Sequence, residues 1–171
     1  MRPPGKLKRK ARNTPGHSHY FTCSTFHRKP YLLDERVCEA LAKRINEAAK
    51  EHNFVILAYV FMPDHIHLLI HPLNEIYEME IIMKAIKQGV SNKAKARGWI
   101  PTDLWERGGG YDRNVFTAKV RLNAIRYIHN NPVVEGLAEE PIDYFWSSAK
   151  WYLTEEQGVI ACRYFASLEE F

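Results

Sequence analysis

The sequence lacks any apolar run near the roughly 20 residues that cross a bilayer, although 46% of its 171 residues are hydrophobic. Its three cysteines are odd in number and widely spaced, and its N-terminus lacks the apolar core of a secretory signal. The chain is also too short for a TIM barrel, which needs about 250 residues. These absences predict one domain in the reducing cytoplasm with no membrane partner.

Acidic residues are missing from the first thirteen positions. Six of the 24 basic residues lie there, which leaves 18 basic against 20 acidic residues over 14–171, so the formal charge of +4 belongs to this tail. The six are Arg2, Lys6, Lys8, Arg9, Lys10 and Arg12. A like-charge run beside prolines cannot bury apolar area, so we expect a flexible basic arm over 1–13 and a single domain over 14–171.

Hydrophobic periodicity predicts the elements of that domain. Helices are expected over 34–52, 79–97 and 118–130, and strands over 19–26, 55–62, 65–72 and 113–117. The third helix should stop at Asn131 because the residue before a proline disfavours the α region. The segment 99–112, which contains Trp99 and Trp105, is expected to be an irregular loop, and the residues after the third helix a short packed tail.

The predicted order is β-α-β-β-α-β-α. Strands separated by helices, with a central hairpin, are typical of an α+β domain with a ferredoxin-like or RRM-like split βαβ sheet and packed helices. Because this fold carries many activities, function has to be argued from a site.

The strongest local motif lies on the second strand of the hairpin. Strand side chains alternate between faces, so His65 and His67 point to one volume, which suits a divalent cation held by neutral imidazoles. A strand with a merely polar face would show the same pair. A histidine-triad nucleotide hydrolase would need a further histidine at the position of Leu69. His71 rejoins this face at the strand end, where solvation is favoured over a contact with a ligand or phosphate.

A second motif lies on the third helix. Tyr127 and Asn131 are four residues apart, so a phenol and a carboxamide share one helix face. Taken alone, the tyrosine could be a core edge and the asparagine a helix cap. Together with the histidines they would give three metal ligands and a candidate nucleophile. Tyr111 is a rival nucleophile without a companion amide at helical spacing.

Six collinear segments resemble the REP-associated tyrosine transposases, which are HUH single-strand DNA nucleases of the IS200-like transposase superfamily. They are Tyr20-Phe21-Thr22 with Arg28, 58–69, 104–107, 111–113, 127–133 with Gly136-Leu137, and 146–148. The resemblance implies that His65 and His67 are the HUH pair, Tyr127 the nucleophile and Asn131 the third ligand of a Mg2+ or Mn2+ ion. The family usually has asparagine where Asp64 stands, a turn position that accepts either residue.

By the same resemblance, the protein would nick and rejoin hairpin-forming single-stranded DNA through a 5′-phosphotyrosine, working in the cytoplasm on the nucleoid. The basic arm together with Lys84, Lys87, Lys95 and Arg97 could contact phosphates, and Trp99, Trp105 or Tyr111 could stack on bases or fill the core. A homodimer with shared sites, as in the insertion-sequence relatives, and a site completed within one chain, as the REP-associated branch allows, both stay open. The alternatives are a non-catalytic nucleic-acid-binding module and a metal phosphoesterase that uses water.

Overall fold

The computed structural model describes residues 12–108 and 110–165. The strands are Ser18–Ser24 (β1), Phe54–Met62 (β2), His65–Pro72 (β3) and Tyr111–Val115 (β4). The helices are Glu35–Glu51 (α1), Met79–Ala96 (α2), Ala118–Val134 (α3) and Ala149–Thr154 (α4), with 3-10 turns at Phe26–Arg28, Tyr31–Leu33 and Pro141–Asp143. The predicted order is confirmed, and α4 is a short helix within the expected tail.

The strands form one antiparallel sheet in the order β2-β3-β1-β4. This order places β3, which carries His65 and His67, in the interior of the sheet beside β1. It is the arrangement of a ferredoxin-like split βαβ domain, so the predicted α+β fold class is confirmed.

The two faces of the sheet pack against different helices. Ile66, Leu68 and Ile70 of β3 join a core cluster with α1 and α2, whereas Leu69, on the opposite face, clusters with Ala124 and Ile128 of α3. Because strand side chains alternate, the α3 face is also the face of the histidine pair.

The last strand begins two residues earlier than predicted. Tyr111 pairs with Thr22 and Val115 with Ser18, while Phe116 leaves the sheet and is exposed. The polar residue Asp112 is accommodated because its carboxylate accepts a hydrogen bond from Nδ1 of the buried His19 at 2.9 Å. Local composition does not reveal this cross-strand contact.

The third helix does not stop at Asn131 as predicted but runs through Pro132 to Val134. Its end is set by Gly136, with φ of +70°, and by the N–H of Leu137, which donates to the carbonyl of Pro132 at 2.8 Å. Pro132 is buried against the fold, so packing overrides the local preference of the residue before it.

The outer edge of β2 is covered by the C-terminal part of the chain. The Phe61 N–H donates to the Trp146 carbonyl, and Ser148 N–H donates to Tyr59, while Cys162 forms a parallel bridge with Ile56. Among the described helices, none combines the length and apolar character needed to cross a bilayer.

Candidate active site

The predicted histidine pair converges on the α3 face. The Nε2 atoms of His65 and His67 lie 3.1 Å apart, and the rings meet edge to face. Asn131, carried by α3, brings its amide nitrogen to 3.2 Å from the same Nε2 of His67. Because the two ends of a carboxamide are related by a half-turn, its oxygen can occupy that position instead. Three candidate ligands therefore meet at one point, as the spacing predicted.

Two hydroxyl groups on β1 fix the ring of His67 from behind. Its Nδ1 lies 2.7 Å from the Tyr20 hydroxyl and 2.9 Å from Oγ1 of Thr22. These contacts follow from the pairing of β1 with β3, in which Thr22 is opposite His67. With the ring hydrogen on Nδ1, the lone pair of Nε2 faces the convergence point.

A carboxylate fixes the other histidine. The Asp64 carboxylate lies 2.6 Å from Nδ1 of His65 and accepts a 3.4 Å hydrogen bond from the Arg28 guanidinium. Burial alone would raise the pKa of Asp64, but His65 and Arg28 hold it below its usual value. The turn residue that differs from the family pattern thus makes a direct contact with a candidate ligand.

The electrostatics suit a cation. Burial lowers the pKa of His67 to about 3, and the charges of His65 and Arg28 add to the effect, so its imidazole is neutral at pH 7. Burial likewise raises the pKa of Tyr20 to about 12, which keeps its phenol protonated beside the ring. Two nitrogens about 3 Å apart also match adjacent ligands of an octahedral ion with bonds of about 2.1 Å.

The donor set therefore fits a divalent ion of Mg2+ or Mn2+ type, with two imidazoles favouring Mn2+. Within residues 12–108 and 110–165, no three His, Cys, Asp or Glu side chains cluster as a metal site. The third candidate donor is the amide of Asn131, a side chain of another type.

The two candidate nucleophiles differ in position. Tyr127 is 58% exposed, and its ring centroid lies 5.6 Å from that of His67. Tyr111, on β4, is 48% exposed and contacts the ring of Tyr20 at 6.4 Å. The geometry places the ring of Tyr127 against His67 and one helical turn before Asn131.

The predicted DNA contacts divide into three groups. Arg2, Lys6, Lys8, Arg9 and Lys10 lie outside the described residues. Arg12 is described, and its backbone exchanges two hydrogen bonds with the Asn114 side chain of β4. Lys84 and Lys87 lie on α2, across the sheet from the histidines, so the structure does not bring them to the site.

His71 does not have the solvated position favoured from sequence. It is buried, and its Nδ1 lies 3.0 Å from the Ser18 hydroxyl. The reason is again strand pairing, since the end of β3 lies beside the start of β1 and is covered by Phe165.

Three residues that contact the histidine pair had no role predicted from the sequence beyond their place in the segments that resemble the family. They are Tyr20, Thr22 and Arg28. The available signal was the hydroxyl-rich alternation of β1, which places Tyr20 and Thr22 on one face. Their contact with His67 depends on the register between β1 and β3, which the alternation alone does not define.

Fold and site together define a ferredoxin-like α+β domain whose sheet carries a candidate metal centre beside an exposed tyrosine. The chain belongs to the IS200-like transposase family, because the family model "Transposase IS200 like" matches residues 16–131, more than half of its length. It is therefore a DNA-processing transposase by family, as the six collinear segments indicated.

A solved structure shares this fold. A REP-associated tyrosine transposase bound to a REP hairpin is similar at a TM-score of 0.72 and 19% identity, over 94% of this chain and 92% of that chain. A candidate transposase of Deinococcus radiodurans R1 aligns at a TM-score of 0.48 and 18% identity, over 75% of this chain and 97% of that chain, a likeness too weak to bear on function. A search of curated proteins finds no match.

Proposed function

We propose that this protein is a metal-dependent transposase of single-stranded DNA that nicks and rejoins hairpin-forming strands through a 5′-phosphotyrosine on Tyr127. The proposal is carried by one observation, the convergence of His65, His67 and Asn131 beside the exposed Tyr127. The likeness in fold to a relative bound to a REP hairpin supports a hairpin substrate. The reaction would take place in the cytoplasm, on the nucleoid.

His65, His67 and Asn131 would hold the ion, Mg2+ or Mn2+. When bound, it would polarise a non-bridging oxygen of the phosphodiester and balance the charge that develops during attack. The hydroxyl oxygens of Tyr20 and Thr22 would accept a hydrogen carried on Nδ1 of His67, and the Asp64 carboxylate would accept that of His65, which would leave both Nε2 atoms free to bind.

Tyr127 would carry out the covalent step. Its hydroxyl loses a proton and its oxygen attacks phosphorus, forming a P–O bond as the bond from phosphorus to the 3′ oxygen breaks. The departing 3′ oxygen takes up a proton and becomes a hydroxyl, and the DNA 5′ end stays on the tyrosine. Because the phosphodiester energy is retained, a second 3′ hydroxyl can reverse the step and join a new strand.

The test is a denaturing gel with Mn2+ and a labelled hairpin oligonucleotide that has single-stranded flanks, taken from a palindrome beside the gene. The wild-type protein should form a covalent adduct, and Tyr127→Phe and His67→Ala should not. After nuclease and trypsin digestion, mass spectrometry should find the nucleotide on the peptide that begins at Tyr127 and not on the peptide that contains Tyr111.

Other outcomes identify the competing functions. Cleavage without an adduct would indicate a phosphoesterase that uses water as its nucleophile. Binding without cleavage or metal uptake would indicate a nucleic-acid-binding module. Either result would refute the tyrosine mechanism.

The basic arm of residues 1–13 is proposed as an additional DNA contact outside the domain of residues 14–171. Because Arg12 and Asn13 hydrogen bond to the body, the deletion should stop at residue 11. Removing five cations should flatten the slope of log affinity against log salt by up to about 3 to 4 on single strands. An unchanged slope in fluorescence anisotropy would show that the arm does not contact DNA.

A further inference from the structure

An aromatic cleft lies beside Tyr127. Its base is the ring of Tyr20, which meets Tyr127 at 6.2 Å between centroids and Tyr111 at 6.4 Å. The interplanar angles are 68° for Tyr111 and 73° for Tyr127, so both outer rings make edge-to-face contacts with the Tyr20 ring. Three tyrosines from β1, β4 and α3 thus form one continuous surface that begins at the candidate nucleophile.

The outer rings are open to solvent, whereas Tyr20 is only 8% exposed. The other aromatic residues considered for base stacking have structural partners. Trp105 is buried and donates its indole N–H to the carbonyl of Lys87. Trp99 packs against the core, and its ring also contacts the cations of Arg36 and Lys93. Of the three aromatic residues considered, Tyr111 is therefore the one whose ring is exposed to solvent beside the candidate site.

The charge of the cleft also favours a nucleic acid. The guanidinium of Arg113, two residues along β4, lies 5.7 Å from the centroid of the Tyr20 ring. The intervening residue, Asp112, points to the opposite face and pairs with His19. The side chains that β4 presents to the cleft are therefore an aromatic ring and a cation, which complement a base and its phosphate.

We propose that the cleft binds one unpaired nucleobase of the substrate strand, close to the phosphate that Tyr127 attacks. Tyr111 would stack on the base and Arg113 would contact the backbone. The inference rests on the proposed function, since it takes Tyr127 as the point of cleavage. In this proposal Tyr111, the rival candidate for the nucleophile, is a substrate-binding residue.

Affinity for the flanked hairpin oligonucleotide is measured by anisotropy in a Tyr127→Phe background, which prevents cleavage and keeps the ring. Tyr111→Thr keeps the β-strand preference but removes the ring, and it should weaken binding about 5- to 100-fold. Tyr111→Phe, which retains the ring, should restore the affinity. Phe145→Ala is the matched control, because this exposed ring lies beside the opposite edge of the sheet and should not affect affinity.

An abasic scan locates the base. An abasic site is placed in turn at each nucleotide near the cleavage position. At the nucleotide that fills the cleft, the abasic site and Tyr111→Thr together should weaken binding no more than either change alone. At every other nucleotide the two losses should multiply.

Equal affinity of Tyr111→Thr and its parent would overturn the inference, as would losses that multiply at every nucleotide or a failure of Tyr111→Phe to restore binding. In those cases an adduct on Tyr127 of the otherwise unmodified chain would leave the proposed function intact. Absence of that adduct would refute the proposed function. The affinity measurements do not depend on cleavage, so the two failures can be told apart.

Discussion

Asp64 lies in the tight turn between β2 and β3, where Asp and Asn serve the backbone equally well. The structure gives its side chain a second contact, because the carboxylate holds Nδ1 of His65 and is itself held by Arg28. A carboxylate behind a metal-binding histidine strengthens the ligand and fixes its ring. The identity of this turn residue therefore matters to the candidate metal centre.

Asp64→Asn keeps a hydrogen-bond acceptor but removes the charge, so Mn2+ affinity should fall by about 10-fold, and Asp64→Ala should lower it by up to about 100-fold. Calorimetric titration with Mn2+ at fixed pH measures the change. Asp103→Asn is the matched control, because that carboxylate pairs with Lys95 on the surface and should not affect the metal. Equal affinities for all the proteins would show that Asp64 acts only in the turn.

His71 affects stability at low pH. Burial lowers its pKa in the folded protein to about 4, with further contributions from Arg121 and His19, against about 6.5 in the unfolded chain. Above pH 6.5 both states are neutral and the histidine has no effect. As the pH falls from 6.5 towards 4, the unfolded chain binds a proton that the folded protein does not, so folding becomes less favourable.

His71→Asn should therefore lose less stability than the wild-type protein between pH 7 and pH 5, while its polar side chain can still bond to Ser18. Urea unfolding at the two pH values measures the difference. Other buried histidines titrate equally in both proteins and cancel. An equal decrease in the free energy of unfolding of both proteins would contradict the lowered pKa of His71.

At the scale of elements, the bounds of helices and strands were predicted well from the sequence where the hydrophobic periodicity is strong. The strand β3 has the predicted bounds, and α1 begins at the predicted cap Asp34. The predicted bounds are wrong at β4 and at the end of α3. At these two places the positions of Asp112 and Pro132 are determined by contacts with other elements of the fold. Alternation and helical spacing predicted the meeting of the site residues, but not the β1 contacts, because register is a tertiary property.

The entry to β4 depends on one glycine. Gly110 has φ of +94°, and a Cβ atom there would lie 2.4 Å from the carbonyl oxygen of Thr22. Gly108 has a similar φ of +101° but open space around it. The first position therefore requires glycine for both conformation and contact, and the second for conformation alone.

Gly110→Ala should destabilise the protein by more than the roughly 1 to 3 kcal/mol expected of a strained backbone, because β4 must also move away from β1. Gly108→Ala should show the strain alone. Urea unfolding compares the two variants. Equal losses would show that the close approach to Thr22 costs nothing.

At the scale of the molecule, one chain supplies the whole candidate site. His65 and His67 come from β3, and Tyr127 and Asn131 from α3 of the same chain. The possible homodimer considered from sequence is therefore not needed to assemble it. Each chain should act independently of any association between chains.

Mixing Tyr127→Phe with His67→Ala should not restore adduct formation, because neither chain then holds a complete site. The rate per chain of the wild-type protein should also be independent of protein concentration. A mixture that forms adducts would show that the tyrosine of one subunit serves the metal centre of another.

The continuity of α3 has a consequence for the speed of the reaction. Tyr127 and Asn131 are one helical turn apart, and the helix runs unbroken past both of them to Val134. The alignment of the proposed nucleophile with the proposed ligand is therefore established once, when the chain folds, and its entropic cost is not repeated at each turnover. What remains to be ordered in every cycle is the DNA, so the rate should be most sensitive to changes that make the strand itself stiffer or looser.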